Sequence, residues 1–87
     1  MRIRFHGPFE RLAGREVQMD VEGSVTLRQL LGYLADRFAG FALYTAKTTD
    51  EDLSAHVMFV RKGKHLKLGD TIENDDTLNV YLPVTGG

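Results

Sequence analysis

The chain has 87 residues, a net charge of −1 and no cysteine, and these facts exclude several classes of protein. A chain of this length is expected to form one domain, because an independent core usually needs about 50 to 200 residues. Without cysteine it offers no disulfide, zinc knuckle, iron–sulfur cluster or thiol nucleophile. Eleven basic residues against twelve acidic ones lack the basic surplus of nucleic-acid binders, so no nucleic-acid partner is expected.

The apolar residues are too scattered for a membrane segment. Unbroken apolar runs, such as Val57 to Val60, reach four residues, whereas a membrane-spanning helix needs about twenty. Residues 1–8 contain no apolar signal-peptide core. We therefore expect a cytoplasmic protein with no membrane partner.

The predicted elements begin with two strands. Ile3 and Phe5 alternate with charged residues, and this two-residue period indicates a half-buried strand that a Gly-Pro pair ends. Residues 9–14 predict a single short helical turn, and residues 16–22 alternate again. Two neighbouring strands with a short connection predict a hairpin.

The clearest periodic signal is a helix from Leu27 to Phe38. Its apolar residues recur every three or four positions and so share one face, namely Leu27, Leu30, Leu31, Leu34, Ala35 and Phe38. Thr26 and Gln29 match a capping box at the start, and Gly40 is the expected stop. Gly32 is expected at a surface or close-packed position.

The second half of the chain predicts a loop and then further strands. Residues 41–55 show no sustained period and are expected to form a mobile loop. Residues 56–61 and 77–83 each predict a strand, and a glycine turn leads to a short strand between them. The order of elements predicts an α+β fold in which a mixed sheet of four to five strands grips one main helix.

The last two long strands offer a candidate docking surface. Alternate residues of the final strand are expected to face the helix, namely Leu78, Val80 and Leu82. Tyr81 is then left on the outer face. On the preceding long strand the outward pair is either Val57 with Phe59 or Met58 with Val60. Met58, Val60 and Tyr81 would form one apolar docking patch, unless the 41–55 loop covers both faces.

The side chains offer no self-contained active site. The three histidines, His6, His56 and His65, are scattered, and neither serine lies in a nucleophile elbow. We therefore expect no metal site and no enzyme activity. The one basic cluster, residues 61–67, is either a solvated hairpin or a docking surface for an acidic partner.

The end of the sequence can carry chemistry that the side chains cannot. Gly86 and Gly87 follow a strand that Pro83 ends, and glycine fits a channel too narrow for a side chain. The α-carboxylate of Gly87 is ionised at pH 7 and can attack the α-phosphate of ATP to give an acyl-adenylate. We therefore expect one folded domain over residues 1–83 and a flexible Gly-Gly tail over 84–87, with the chain itself as substrate.

Three segments carry a family resemblance that extends over the whole chain. They are residues 3–14, the helix start at 26–31 and, above all, the ending Leu-Pro-Val-Thr-Gly-Gly at 82–87. With these the chain resembles the ubiquitin-like β-grasp sulfur carriers of the MoaD/ThiS type, which include the small subunit of molybdopterin synthase. The turn at 74–76 reads Asn-Asp-Asp where the family tends to have Asp-Gly-Asp.

The resemblance implies a β-grasp fold and a mechanism. In the family a ubiquitin-activating-type adenylyltransferase adenylates the C-terminal glycine, sulfur is added as a thiocarboxylate, and the tail inserts into a sulfur-accepting large subunit or synthase. By resemblance, Gly87 would bear the thiocarboxylate, Gly86 would lie in the channel, and Thr85, Val84 and Pro83 would line its opening. No cofactor is bound permanently, and the partner consumes the ATP.

The resemblance also implies partner-binding residues and several possible roles. His6 replaces an aromatic residue common near the end of the first strand and joins Tyr81, Met58 and Val60 as expected partner-binding residues. The leading role is sulfur transfer in molybdopterin (molybdenum or tungsten cofactor) biosynthesis, with the chain at most the small non-catalytic subunit of the synthase. The alternatives are a modifier joined to target lysines through Gly87, a carrier for thiamine, cysteine or tRNA thiolation, and an interaction module whose tail plays no part.

Overall fold

A computed structural model describes residues 1–47 and 49–83 of the chain. Its helices and strands follow in the order β1 (Arg2–Phe5), α1 (Phe9–Ala13), β2 (Glu16–Gln18), β3 (Ser24–Thr26), α2 (Leu27–Arg37), a 3₁₀ helix (Ala39–Ala46), α3 (Asp50–Ser54), β4 (Met58–Arg61), β5 (Lys64–His65), β6 (Thr71–Glu73) and β7 (Thr77–Tyr81). None of these helices is long and apolar enough to cross a membrane.

Five strands form one mixed sheet in the order β2-β1-β7-β4-β5, and β3 pairs with β6 in a separate two-stranded sheet. β1 and β7 run parallel at the centre, with Ile3 opposite Leu78. The flanking strands β2, β4 and β5 pair antiparallel. This arrangement confirms the predicted α+β fold with a mixed sheet and a main helix.

The core lies between this sheet and the buried face of α2. Its fully buried side chains include Ile3, Leu27, Leu30, Leu34, Phe59, Ile72, Leu78 and Val80. The alternation in β1 and the helical period in α2 place these residues on facing surfaces, as the sequence predicts. Every buried side-chain nitrogen or oxygen among the described residues has a hydrogen-bond partner.

The main helix begins as predicted but ends earlier. The Gln29 amide donates to Thr26 Oγ1 at 3.2 Å, and the Thr26 amide donates to Gln29 Oε1 at 2.9 Å, so the capping box is confirmed. The expected stop at Gly40 is wrong, because Phe38 already takes an extended backbone (φ −132°, ψ 107°). Gly40 instead packs against Leu12, where an added Cβ would lie 2.5 Å from a Leu12 methyl group.

The expectation of a mobile loop over residues 41–55 is wrong. The described part of this segment contains most of the 3₁₀ helix and all of α3, and it buries Phe41, Tyr44 and Leu53. Phe38, Phe41 and Tyr44 recur every third residue, which is the period of a 3₁₀ helix. This spacing fits neither the 3.6-residue period of an α-helix nor the two-residue period of a strand. Phe41 reaches the sheet, with its ring centroid 5.5 Å from that of Phe5.

Three strand predictions also need correction. Strands β3 and β6 were not predicted, because three residues are too few to show an alternation. Leu82 does not face the helix: it is 56% exposed. Tyr81 lies opposite Met58, the first residue of β4, so β7 has no partner strand beyond that point to place Leu82 over the core.

The turn at 74–76 is held by the side chains of Asn74 and Asp76. Asp76 Oδ2 accepts hydrogen bonds from the Glu73 amide at 2.9 Å and from Arg61 Nη1 at 2.8 Å. The Asn74 side-chain amide accepts from the Val21 amide at 2.8 Å and donates to the Val21 carbonyl oxygen. The turn therefore ties β6 and β7 to β4 and to the β2–β3 loop.

Replacing Phe41 tests whether the 3₁₀ helix is an integral part of the core. Phe41→Ala should lower the free energy of unfolding by about 3 to 5 kcal/mol, the usual cost of a phenylalanine cavity. Leu43→Ala in the same helix should change it by less than about 0.5 kcal/mol, because Leu43 is 55% exposed. Urea denaturation followed by circular dichroism measures both, and equal small losses would contradict the structure.

The Asp76 carboxylate should make stability depend on acid pH. Burial raises its pKa, but the hydrogen bonds from Glu73 and Arg61 and the Arg61 charge outweigh this, and the net pKa lies below the ordinary value. Its stabilising contribution is therefore complete above the unfolded pKa of about 3.9 and is lost as the pH falls through the folded value. The stability difference between wild type and Asp76→Asn should shrink below about pH 4.

Chemical denaturation at a series of pH values measures this difference. Asp75→Asn is the matched control, because Asp75 is the exposed neighbour in the same turn. It should retain the pH dependence of the wild type. A difference for Asp76→Asn that stays constant from neutral to acid pH would refute the assignment.

Candidate functional site

The outer face of the sheet presents the apolar residues of β4 and β7. Val57 and Phe59 are each 1% exposed and belong to the core, so Met58 and Val60 form the outward pair. Met58 lies directly opposite Tyr81 in the antiparallel register. Tyr81 is 39% exposed, and the side chains of Met58 and Val60 are half-buried. The structure therefore decides between the alternatives that the sequence left open.

His6 completes this surface from the position directly after the neighbouring strand β1. Its ring stacks on Tyr81 with centroids 4.5 Å apart and planes inclined by 10°. His6 Nε2 lies 2.9 Å from Asn79 Oδ1, and it donates because an amide oxygen can only accept. The four residues His6, Met58, Val60 and Tyr81 are called the outer patch below. Their role in binding remains a prediction.

Asn79 is the member of this surface that the sequence analysis missed. It lies opposite Val60 on β4 and opposite Arg4 on β1, and it fixes the His6 ring through the bond described above. A polar residue at an outward position of a predicted strand is a usable signal. It was missed because outward polar residues are expected on any half-solvated sheet.

The described part of the segment at 41–55 leaves the outer patch uncovered. Its Phe41 and Tyr44 rings lie against Phe9 at centroid distances of 6.2 and 6.1 Å. Phe5, which Phe41 also contacts, faces the core, whereas the next residue His6 faces outward. The 3₁₀ helix therefore packs on the helix side of the sheet.

Charged residues flank the outer patch on both sides. Glu16 on β2 lies 3.2 Å from Arg4 and 3.6 Å from Arg2, so these two arginines share one carboxylate. On the other side, Lys64 and His65 of β5 are exposed. Arg61, from the basic cluster, is instead held in the turn by Asp76. The patch is an apolar surface with a mainly basic rim.

The chain leaves the sheet beside the outer patch. After Tyr81 the backbone continues through exposed Leu82 and half-buried Pro83. Val84, Thr85, Gly86 and Gly87 lie outside the described residues, so their expected roles remain predictions. Gly87 comes six positions after Tyr81 in the sequence, a span of at most about 22 Å. One partner can therefore contact the patch and the tail together.

The structure keeps the three histidines apart. His6 belongs to the outer patch, His65 pairs with Val60 across β4 and β5, and His56 lies exposed before β4. Over residues 1–47 and 49–83, no group of three or more His, Asp or Glu side chains is arranged to hold a metal ion.

Comparison with known proteins finds relatives among solved structures. No family profile matches the chain, and no curated protein matches its sequence. A putative molybdopterin converting factor, subunit 1, from Pyrococcus furiosus has a TM-score of 0.75 and 22% identity over 95% of each chain. One crystal structure of small archaeal modifier protein 1 from Haloferax volcanii has a TM-score of 0.71 and 28% identity, covering 99% of this chain and 97% of that one.

A second crystal structure of the Haloferax volcanii modifier has a TM-score of 0.71 and 27% identity over 95% of each chain. These similarities confirm the ubiquitin-like β-grasp fold. The neighbours also match the MoaD/ThiS-type family that the sequence resembles.

The contact between His6 and Tyr81 is testable by a double-mutant cycle. His6→Ala, Tyr81→Ala and the double variant should show a coupling of about 0.5 to 1.5 kcal/mol in the free energy of unfolding, as stacked rings do. His6→Ala combined with Tyr33→Ala should be additive, because Tyr33 lies on α2. Urea denaturation provides all the values, and additive effects for His6 and Tyr81 would contradict the stack.

Proposed function

We propose that this chain is a ubiquitin-like sulfur carrier whose C-terminal Gly87 is adenylated by a partner enzyme and converted to a thiocarboxylate. One observation carries the proposal: β7, which contributes Tyr81 to the outer patch, continues in sequence through Pro83 into Gly86 and Gly87. The fold shared with a molybdopterin converting factor subunit and a small modifier protein supports it.

The proposed chemistry takes place at the main-chain carboxylate. A Gly87 carboxylate oxygen attacks the α-phosphorus of ATP, the bond to the β,γ-phosphates breaks, and pyrophosphate leaves with its electron pair. Hydrosulfide, or its equivalent on a sulfur donor, then attacks the acyl carbon and displaces AMP, leaving the thiocarboxylate. The carboxylate is ionised at neutral pH, with an ordinary pKa of about 3.3 to 3.7.

In this proposal the folded domain supplies the surface that the partner enzymes recognise. The stacking with His6 restrains the Tyr81 ring, and Asn79 holds His6 in turn. A restrained aromatic residue loses little side-chain freedom on binding, so it suits the centre of an interface. We assign the outer patch to contacts with an activating enzyme and with the sulfur-accepting subunit or synthase.

The proposed pathway is molybdopterin biosynthesis in the cytoplasm. The sequence ending at 82–87 supports it, since it is the segment that most resembles the family. Thiamine, cysteine and tRNA thiolation are alternatives that use the same Gly87 chemistry and differ in the acceptor. ATP belongs to the activating enzyme, and the carrier itself requires no permanently bound cofactor.

A second candidate function is protein modification. Two of the neighbouring structures are of a small archaeal modifier protein, at 28% and 27% identity. The same acyl-adenylate, or a thioester formed from it, would be attacked by the amine of a target lysine. The product is an isopeptide bond between Gly87 and the target. Gly-Gly remnants on lysines of digested cellular proteins would support this second function.

Intact-mass spectrometry tests the carrier function directly. Incubation with ATP, the cognate activating enzyme and sulfide should increase the mass by one sulfur-for-oxygen exchange. The variant lacking Gly86 and Gly87 should remain unchanged, and the starting mass checks that the mature chain ends at Gly87. Absence of both adenylate and exchange in folded wild type would refute the proposal.

Exchange rates in the same assay separate the outer patch from the tail. Tyr81→Ala should slow the exchange about tenfold at limiting carrier concentration, because it removes an aromatic anchor. Leu43→Ala is the matched control: an exposed apolar side chain is truncated on the helix side instead. Equal rates for Tyr81→Ala and wild type would show that the patch does not bind the activating enzyme.

A further inference from the structure

A groove of about 610 Å³ lies between the β2–β3 loop and α2. None of its lining residues belongs to the outer patch. Its apolar lining consists of Met19, Val21 and Val25 from the strand side and Tyr33 from the helix. The volume is within the range of sites that hold a small molecule or a few side chains.

The walls of the groove are fixed before anything binds. The Asn74 side chain bonds both the amide and the carbonyl group of Val21, which holds the β2–β3 loop in place. Val25 lies in β3, opposite Ile72 of β6. Gln29, on the helix wall, is held in the capping box. A preformed groove loses little freedom when it takes up a ligand.

Tyr33 is the most exposed apolar side chain of the groove. It is 46% exposed, although it lies on the same helix as the core residues Leu30 and Leu34. An aromatic ring that is half exposed in a concave site is typical of the anchor positions of interfaces. Val25, at 6% exposure, forms the floor of the groove.

The charge of the groove determines which kind of partner fits. Asp20 and Glu22 line it, and no lysine or arginine among the described residues does. The Arg37 guanidinium, on the same helix, bonds the Gln18 carbonyl oxygen at 3.3 Å and lies over the Phe38 ring. The Met1 ammonium group bonds the Met19 carbonyl oxygen at 2.6 Å. None of the ion pairs among the described residues involves Asp20 or Glu22, so two carboxylates remain in the groove for a cationic ligand.

We propose that this groove docks a basic peptide segment of a protein partner. One large apolar side chain of the segment would pack on Tyr33 and Val25, and flanking lysines or arginines would face Asp20 and Glu22. The inference goes beyond the sulfur-carrier function, because neither Gly87 nor the outer patch takes part. The protein then has two docking surfaces, one on each side of the fold.

Fluorescence anisotropy with two labelled synthetic peptides tests the proposal on the full chain. One peptide has a leucine flanked by two lysines on each side, and the other has glutamates in place of the lysines. The lysine peptide should bind, and the glutamate peptide should not. Added salt should weaken the binding, because it screens the exposed carboxylates. Equal binding of both peptides, or of neither, would overturn the proposal.

Variants of the groove residues test where the lysine peptide binds and which side chains bind it. Tyr33→Ala should weaken binding of the lysine peptide about tenfold, and the exposed position keeps the fold intact. The pair Asp20→Asn with Glu22→Gln should weaken it about fivefold through lost charge. The matched pair Asp36→Asn with Glu51→Gln removes the same charge outside the groove and should leave affinity unchanged. Equal losses for both pairs would mean non-specific attraction and overturn the proposal.

Amide chemical shifts show where the peptide binds, and sedimentation tests whether a second copy of this chain occupies the groove. Peptide-induced shifts at residues 19–25 and Tyr33 would support the groove, whereas shifts confined to Met58, Val60 and Tyr81 would overturn it. A dimer that the Asp20→Asn/Glu22→Gln pair abolishes would show that the occupant is a second copy of this chain, against the proposal. Removal of Gly86 and Gly87 should leave peptide binding intact. The peptide assay therefore tests the groove independently of the carrier function.

Discussion

The parallel pairing of β1 with β7 is the constraint on which the rest of the structure depends. It joins the first strand to the last at the centre of the sheet, with Ile3 opposite Leu78 and Phe5 opposite Val80. On the inner face, these residues form the middle of the core beneath α2. On the outer face, the same register brings His6 to Tyr81 and to Asn79. The same pairing therefore fixes the middle of the core on one face and the His6–Tyr81 part of the outer patch on the other.

Periodic patterns that extend over several repeats were sufficient to predict the main elements of the fold. The apolar stripe of α2 and its capping box depend on local spacing alone, so both could be predicted. The 3₁₀ helix could not, because its buried rings repeat every third residue. Strands β3 and β6 are too short to show a period. They form by pairing with each other, and this pairing joins segments that are distant in the sequence.

The candidate site was predictable only in part, for a different physical reason. Residues 57–60 are all apolar, so alternation does not indicate which pair faces outward; the packing of Phe59 in the core decides it. Leu82 fits the alternation of β7 but lies beyond the start of β4, and strand length is not visible in periodicity. The contact of Asn79 with His6 joins residues 73 positions apart and needed the sheet register. The roles of Gly86 and Gly87 depend on chemistry that the sequence alone suggests.

The link between the first and last strands also governs how the protein is made. A sheet whose centre joins segments more than seventy positions apart has many non-local contacts, and such contacts delay folding because a long loop must close first. During synthesis β1 cannot pair until β7, the last strand of the described residues, has left the ribosome. The residues that end in Gly86 and Gly87 emerge immediately afterwards. A chain truncated before β7 has neither a closed core nor a complete outer patch.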